Sequence, residues 1–307
     1  MALNTTIKKR KSMIPMYVMM LPGLLYLLIN NYFPMTGLFI AFKSIDYSKG
    51  IFHSDWAGFQ NFKYLFSTSD AWIITRNTIL YNLAFIILGT TAGITVGILL
   101  SELSKKFLSR FYQTVLLLPQ LMSIIIIAYI AYAFLSVDTG LINKTILPFF
   151  GIDPISWYME PSYWPYILTF IYLWKGLGYS CIIYLASILG IDRSLYESAE
   201  IDGAGKWRQI ISITLPMLKP TIITLVLMSI GTMFYSDFGL FYQIPMNSGV
   251  LYSTTSVIDT YVYRGLLQLN DIGMSSAAGA YQSVVGFILI LLANFIVRKL
   301  DKDNALF

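Results

Sequence analysis

Residues 77–101 read N-T-I-L-Y-N-L-A-F-I-I-L-G-T-T-A-G-I-T-V-G-I-L-L-S, a run without a single charge. At about 1.5 Å of rise per residue, a helix of this length covers the roughly 30 Å of hydrocarbon in a bilayer. Five further intervals read the same way: 12–42, 111–137, 161–191, 218–242 and 272–297. Only Lys175 interrupts the fourth, and the fifth is charge-free from Pro220 to Ser236 before it passes Asp237. A central Lys, Arg or Asp costs about 2.5–3.5 kcal/mol on insertion, so charge-free intervals mark spans. The expectation is an all-α polytopic membrane protein with six transmembrane helices within 12–300. A basic N-terminus, 1–11, precedes them and a short tail, 301–307, follows.

Composition agrees with this reading. The chain has 307 residues, 56% of them hydrophobic and 12% charged, and its mean hydropathy is +0.65. Soluble domains carry about 25% charge, and disorder needs low hydrophobicity, so both classes are excluded. The net charge of +5 would suit nucleic acid only if the basic residues clustered on a soluble domain. They are instead spread between the spans in a biased way. With the N-terminus inside, cytoplasmic segments hold fourteen of the 21 Lys and Arg, including Lys8–Lys11 and the Arg193, Lys206, Arg208 and Lys219 group. The outer loops hold six, and Lys175 lies within a span. The positive-inside rule then places both termini in the cytoplasm of a multi-pass cell-membrane protein. The apolar run after the basic start is too long for a signal peptide, so it is expected to remain as the first span, bent by Pro22 and Pro34.

Much chemistry is missing. One cysteine, Cys181, and one histidine, His53, leave no disulfide framework, metal cluster or histidine-based catalysis to build. The G-x-x-x-x-G-K-[ST] phosphate loop and the G-x-S-x-G elbow do not occur. Gly89, Gly93 and Gly97 repeat at every fourth position, which suits close helix packing more than a gating hinge. Aromatic residues crowd the outer loops 46–70 and 138–165, as an interfacial belt or as a docking surface for an external partner. Within the spans, Lys175 and Asp237 must each face protein or water. Either they are structural, or they line a polar pathway with Trp174 and Tyr235 as stacking faces.

The cytoplasmic loop 193–220 breaks the pattern: R-S-L-Y-E-S-A-E-I-D-G-A-G-K-W-R-Q-I-I-S-I-T-L-P-M-L-K-P. It reads as two short helices about a glycine turn at Gly203 and Gly205. Ser194 with Glu197 makes a capping-box pattern, and Pro216 is expected to end or kink the second helix, which carries Trp207, Ile210, Ile211 and Thr214. Such an amphipathic pair fits a partner's groove, or lies in the interface beneath the headgroups.

This loop resembles the signature of binding-protein-dependent ABC importer permeases, E-A-A, three residues, G, nine residues, I-x-L-P. Here it is Glu197-Ser198-Ala199, Gly203, Ile213 and Leu215-Pro216, with every spacing kept. The fuller form over 196–204 is similar to carbohydrate importers of the maltose-permease type. Tyr32-Phe33-Pro34-Met35, Trp56-Ala57-Gly58-Phe59-Gln60-Asn61-Phe62 and Leu173-Trp174-Lys175-Gly176-Leu177-Gly178 look like the polysaccharide-permease subgroup. So do Tyr261-Val262-Tyr263-Arg264 and the small-residue run 273–280. One departure is Met246-Asn247-Ser248-Gly249, where the family often has a Gly-Gly-Pro turn.

The resemblance implies a type I ABC importer permease fold with a cytoplasmic coupling helix. It implies a transport subunit that is no enzyme and binds no cofactor itself. ATP and Mg would be used by two cytoplasmic ATP-binding subunits, contacted through Glu197, Ala199, Asp202, Gly203, Ile213, Leu215 and Pro216. A second, homologous permease would complete a heterodimer, and an extracellular solute-binding protein would deliver an oligosaccharide. A self-sufficient secondary transporter or channel for a small polar solute is the rival; it would want an intramembrane acidic network or internal repeats, and neither is found.

Overall fold

The computed structural model describes residues 2–103 and 105–300, and side chains over 15–103 and 105–299. The expected tail, 301–307, and the side chains of the basic N-terminus lie outside the described residues. Among the described residues the fold is helical without strands; a lone antiparallel bridge pairs Lys43 with Trp56.

Among the described residues five helices are long and apolar enough to cross a membrane: Pro15–Phe42, Ser69–Ser101, Pro161–Leu189, Lys206–Gly231 and Ile272–Lys299. A sixth crossing is made by a bent pair, Lys106–Leu121 and Ile124–Leu135, which meet at 96°. The third interval, expected as one helix over 111–137, is therefore broken. Met122 closes the first half by bonding back to Pro119, and Ser123 caps the second half at the Ile125 amide. The second helix starts earlier than its charge-free run, so Arg76, expected in an outer loop, lies on it and donates to the Ser253 carbonyl at 2.8 Å.

The fifth span departs most from expectation. It begins at Lys206, inside the loop, and stops at Gly231. Residues 232–237 are not helical, and a separate short helix, Phe238–Gln243, comes next. Pro216 does not end the loop's second helix, because a π-helical turn, Ile210–Thr214, precedes it. The same device recurs: π-helical segments Leu28–Tyr32 and Ile142–Ile146 stand just before Pro34 and Pro148. Proline lacks an N–H and its ring collides with the carbonyl four residues back; the wider π register relieves both problems. Pro22 lies inside the helix Ala2–Leu27.

Small residues set the central packing. A Cβ on Gly93 would stand 3.0 Å from Ser180 Cβ, and one on Gly97 would stand 3.1 Å from Tyr184 Cβ. Gly89 is looser, with Leu173 at 3.9 Å. The glycine stripe thus beds the second span against the fourth, as the packing reading expects. On the fourth span, a Cβ at Gly178 would fall on the Leu116 carbonyl, so only glycine admits the third span there. Tyr81, Phe85, Ile127, Trp164, Leu168 and Phe241 belong to the main core cluster. The first span instead runs almost fully exposed along 16–36. The turn expected to differ from the family pattern is made without glycine, by Met246 and Asn247 at φ 52° and 46°. The Asn247 side chain steadies it by accepting from Tyr252 Oη at 3.0 Å.

Candidate functional site

The loop between the fourth and fifth spans is built rather than slack. Its first helix, Arg193–Ile201, is capped by Asp192, whose carboxylate accepts from the Ser194 amide at 2.9 Å. Ser194, expected as the cap, is the donor instead. That bond holds the Asp192 carboxyl below the usual carboxylate range. The helix ends in a complete Schellman closure. Ala204 N–H donates to Ala199 at 2.8 Å, and Gly203 N–H to Glu200 at 3.0 Å. Gly203 occupies the left-handed position this closure needs, with φ of 77°.

The turn is tied to the helix on its C-terminal side. Buried Gln209 donates through Nε2 to the Ala204 carbonyl at 3.1 Å, and Tyr196 Oη pairs with Thr214 Oγ1 at 2.9 Å. Lys206 reaches Glu200 at 3.7 Å and Glu102, at the end of the second span, at 3.5 Å. These exposed ion pairs are worth little singly, but they tie the loop's second helix to its first and to the second span. The outward surface is apolar: Ile201 is 87% exposed and Trp207 75%. Glu197 and Asp202 are exposed beside them and form no ion pair among the described residues. Ala199 and Ile213 are half-buried, whereas Leu215 and Pro216 are exposed. The resulting surface is a rigid apolar knob with acidic edges.

Between the second, fourth and fifth spans and the first residue beyond the fifth lies a half-open cavity of about 350 Å³, with Ser229 and Thr232 on its exposed side. Phe85, Tyr172, Gly176, Tyr184, Ser229 and Thr232 are among its walls. Phe85 and Tyr172 stack with ring centroids 3.7 Å apart and planes 6° from parallel. Aromatic faces with scattered hydroxyls suit a polar, ring-shaped guest.

A family model described as "Binding-protein-dependent transport system inner membrane component" matches residues 86–302. The chain belongs to this family. Protein LplB of Bacillus subtilis (strain 168) is 35% identical, over 94% of this chain and 90% of its own length. The polygalacturonan/rhamnogalacturonan transport system permease protein YteP of the same organism is 33% identical, over 94% and 89%. A chain of a bacterial ABC transporter involved in the import of the acidic polysaccharide alginate superposes with a TM-score of 0.88 at 32% identity. That match covers 97% of this chain and 99% of the other. The expected six-span importer-permease fold is thus the fold of this chain.

Within that family fold, the four intramembrane candidates do not converge. Trp174, Lys175, Tyr235 and Asp237 all lie outside the walls of the 350 Å³ cavity. Lys175 is half-buried on the fourth span, next to the wall residue Gly176, and no carboxylate among the described residues pairs with it. Asp237 is exposed and caps the short helix at the Leu240 amide, 3.1 Å away. Tyr235 Oη pairs with Ser283 Oγ at 3.1 Å. Expected as span residues, Tyr235 and Asp237 instead stand in the 232–237 break. The residues that hold this break, Asp259 and Gln282, are not among the sequence candidates. Their only signal is polarity in the charge-poor segment before the last span and in the last span itself.

Proposed function

We propose that this chain is one permease of an ATP-driven importer that carries oligosaccharides inward by alternating access, without an ATPase site of its own. The loop 193–220 is the coupling element and faces the cytoplasm, as do both termini. Its apolar knob, Ile201 and Trp207 on a Schellman-closed turn, carries this reading. A large apolar surface on a rigid charged turn is costly in water and suits a preformed groove. Two ATP-binding subunits supply that groove and use ATP with Mg. Glu197 and Asp202 give it polar contacts, and Ala199, Gly203, Ile213, Leu215 and Pro216 hold the turn in shape. A second, different permease covers the exposed first span and closes the pathway. An extracellular binding protein brings the sugar to the outer loops. The likeness to YteP and to the alginate importer supports a saccharide cargo. So does the aromatic and hydroxyl lining of the cavity.

The test is reconstitution. The chain, purified with its co-isolated subunits in proteoliposomes, takes up an oligosaccharide only when ATP, Mg and the binding protein are present. Uptake without an ATPase, or failure of any ATPase to co-purify, would overturn the reading in favour of a self-sufficient transporter.

A further inference from the structure

The fifth span stops at Gly231 although residues 232–237, T-M-F-Y-S-D, contain neither proline nor glycine. Gly231 weakens the helix at its last residue, and tertiary partners hold the chain that follows. In a continuous helix, Ser236 N–H would donate to the Thr232 carbonyl and the Phe234 carbonyl would accept from residue 238. Here Tyr235 N–H takes the Thr232 carbonyl at 2.8 Å, so both other groups need new partners. They find them in side chains. Ser236 N–H donates to Asp259 Oδ2 at 2.7 Å. Gln282 Nε2 spends one proton on the Phe234 carbonyl at 2.7 Å and the other on Asp259 Oδ1 at 3.0 Å. Asn82, on the second span, adds a bond from Nδ2 to Ser236 Oγ at 3.2 Å.

Gln282 and Phe234 are buried, and no cation pairs with Asp259 among the described residues. A carboxylate placed this way, without a counter-ion, is held by donors alone. A backbone group left unpaired in such a buried place would cost about 1–3 kcal/mol. The pair therefore substitutes two side-chain bonds for two helical ones, and links the outer helix Ile258–Leu267 and the sixth span to the break. Thr232, the first residue of the break, lines the 350 Å³ cavity. Ser229, three residues earlier on the intact helix, lines it too.

We propose that Asp259 and Gln282 form a latch that fixes the 232–237 break and presents Thr232 to the cavity. They are thus positioning residues for whatever the cavity admits. The latch itself is independent of the cargo; its importance for transport rests on the importer reading above.

The experiment needs no cargo. Buried Cys181 is replaced by Ser, and single cysteines are placed at Thr232 or Ser229 in the full chain with its co-purified subunits in nanodiscs. The probe is a methanethiosulfonate ethylammonium reagent, and the readout is its rate of reaction. With Asp259→Asn, which puts a donor where an acceptor is needed, the rate at Thr232→Cys changes at least fivefold. The rate at Ser229→Cys stays within twofold. Gln282→Met, which removes both donated bonds at similar volume, repeats the pattern and serves if the first variant does not accumulate. Asp259→Glu, which keeps the acceptors, restores more than half of the change. Equal shifts at both cysteines mean general loosening and overturn the latch. No shift at Thr232→Cys overturns it as well. Failure of sugar uptake in the reconstitution above would sink the importer reading and leave these rates to decide the latch alone.

Discussion

Replacing Gly203 with Ala isolates the conformational part of the coupling loop. A Cβ at this position would meet nothing within 4 Å, so no clash contributes. What remains is the φ of 77°, a left-handed position that costs an L-residue about 1–2 kcal/mol. The two closing bonds, from Gly203 and Ala204, contribute about 0.5–1.5 kcal/mol each. Penalty and closure are of the same size, so the penalty is not absorbed. A cost of about 1–2 kcal/mol reduces the closed turn about 5–30-fold relative to its open forms. The closed turn presents Ile201 and Trp207 together, so under the coupling role proposed above apparent affinity for an ATPase falls with its population. Titrating the purified ATPase against the chain in nanodiscs measures this directly. Gly205→Ala is the control: its φ is −67°, and its Cβ also meets open space. Gly203→Asn falls between, because asparagine tolerates the left-handed region. If Gly203→Ala binds as tightly as the parent, or Gly205→Ala loses as much, the turn is not what the ATPase reads.

Other outcomes rest on the same geometry. Gly178→Ala forces a methyl onto the Leu116 carbonyl, an overpacking cost of about 1–3 kcal/mol or more. Its thermal unfolding midpoint in detergent drops, whereas Gly176→Ala, with open space at its Cβ in a helix interior, does not lower it. Lys175→Met lowers uptake at low sugar concentration while the transporter still assembles; unchanged uptake removes Lys175 from the pathway. Burial raises the Asp259 carboxyl above its ordinary value, against the donated bonds of Gln282 and Ser236. The folded chain then holds that proton more tightly than the unfolded one. This stabilising contribution is full below about 3.8 and is lost as pH rises through the raised folded value. Melting curves across that window carry this component in the parent chain and lack it in Asp259→Asn.

Charge makes most of the fold legible in the sequence. Intervals without charge locate the crossings, and the signature loop announces its turn because only Gly203 meets the backbone demand there. The 96° break is invisible because Met122 and Ser123 sit in apolar surroundings, and Pro119 reads as an ordinary kink. Pro216 misleads for the opposite reason: a strong breaker is neutralised by the π turn before it. The end of the fifth span is hidden because what holds the chain beyond it lies on other helices, at Asp259 and Gln282. Of the candidate site, the loop is legible since its determinants are local. The cavity is not, since Phe85, Tyr172 and Ser229 come from three separated spans and Thr232 from the break after the last of these.

The unbroken run from Lys206 to Gly231 has a mechanical meaning. It makes the second half of the loop and the fifth span one push rod, about 39 Å long. Tilting such a rod by about 5° sweeps its far tip through about 3 Å. That tip adjoins Thr232, so under the proposed coupling a stroke applied beside Trp207 would reach the cavity wall through one helix. Gly231 seats Ile290 of the sixth span at 3.1 Å from the place of its absent Cβ, so the far end of the rod bears directly on the sixth span.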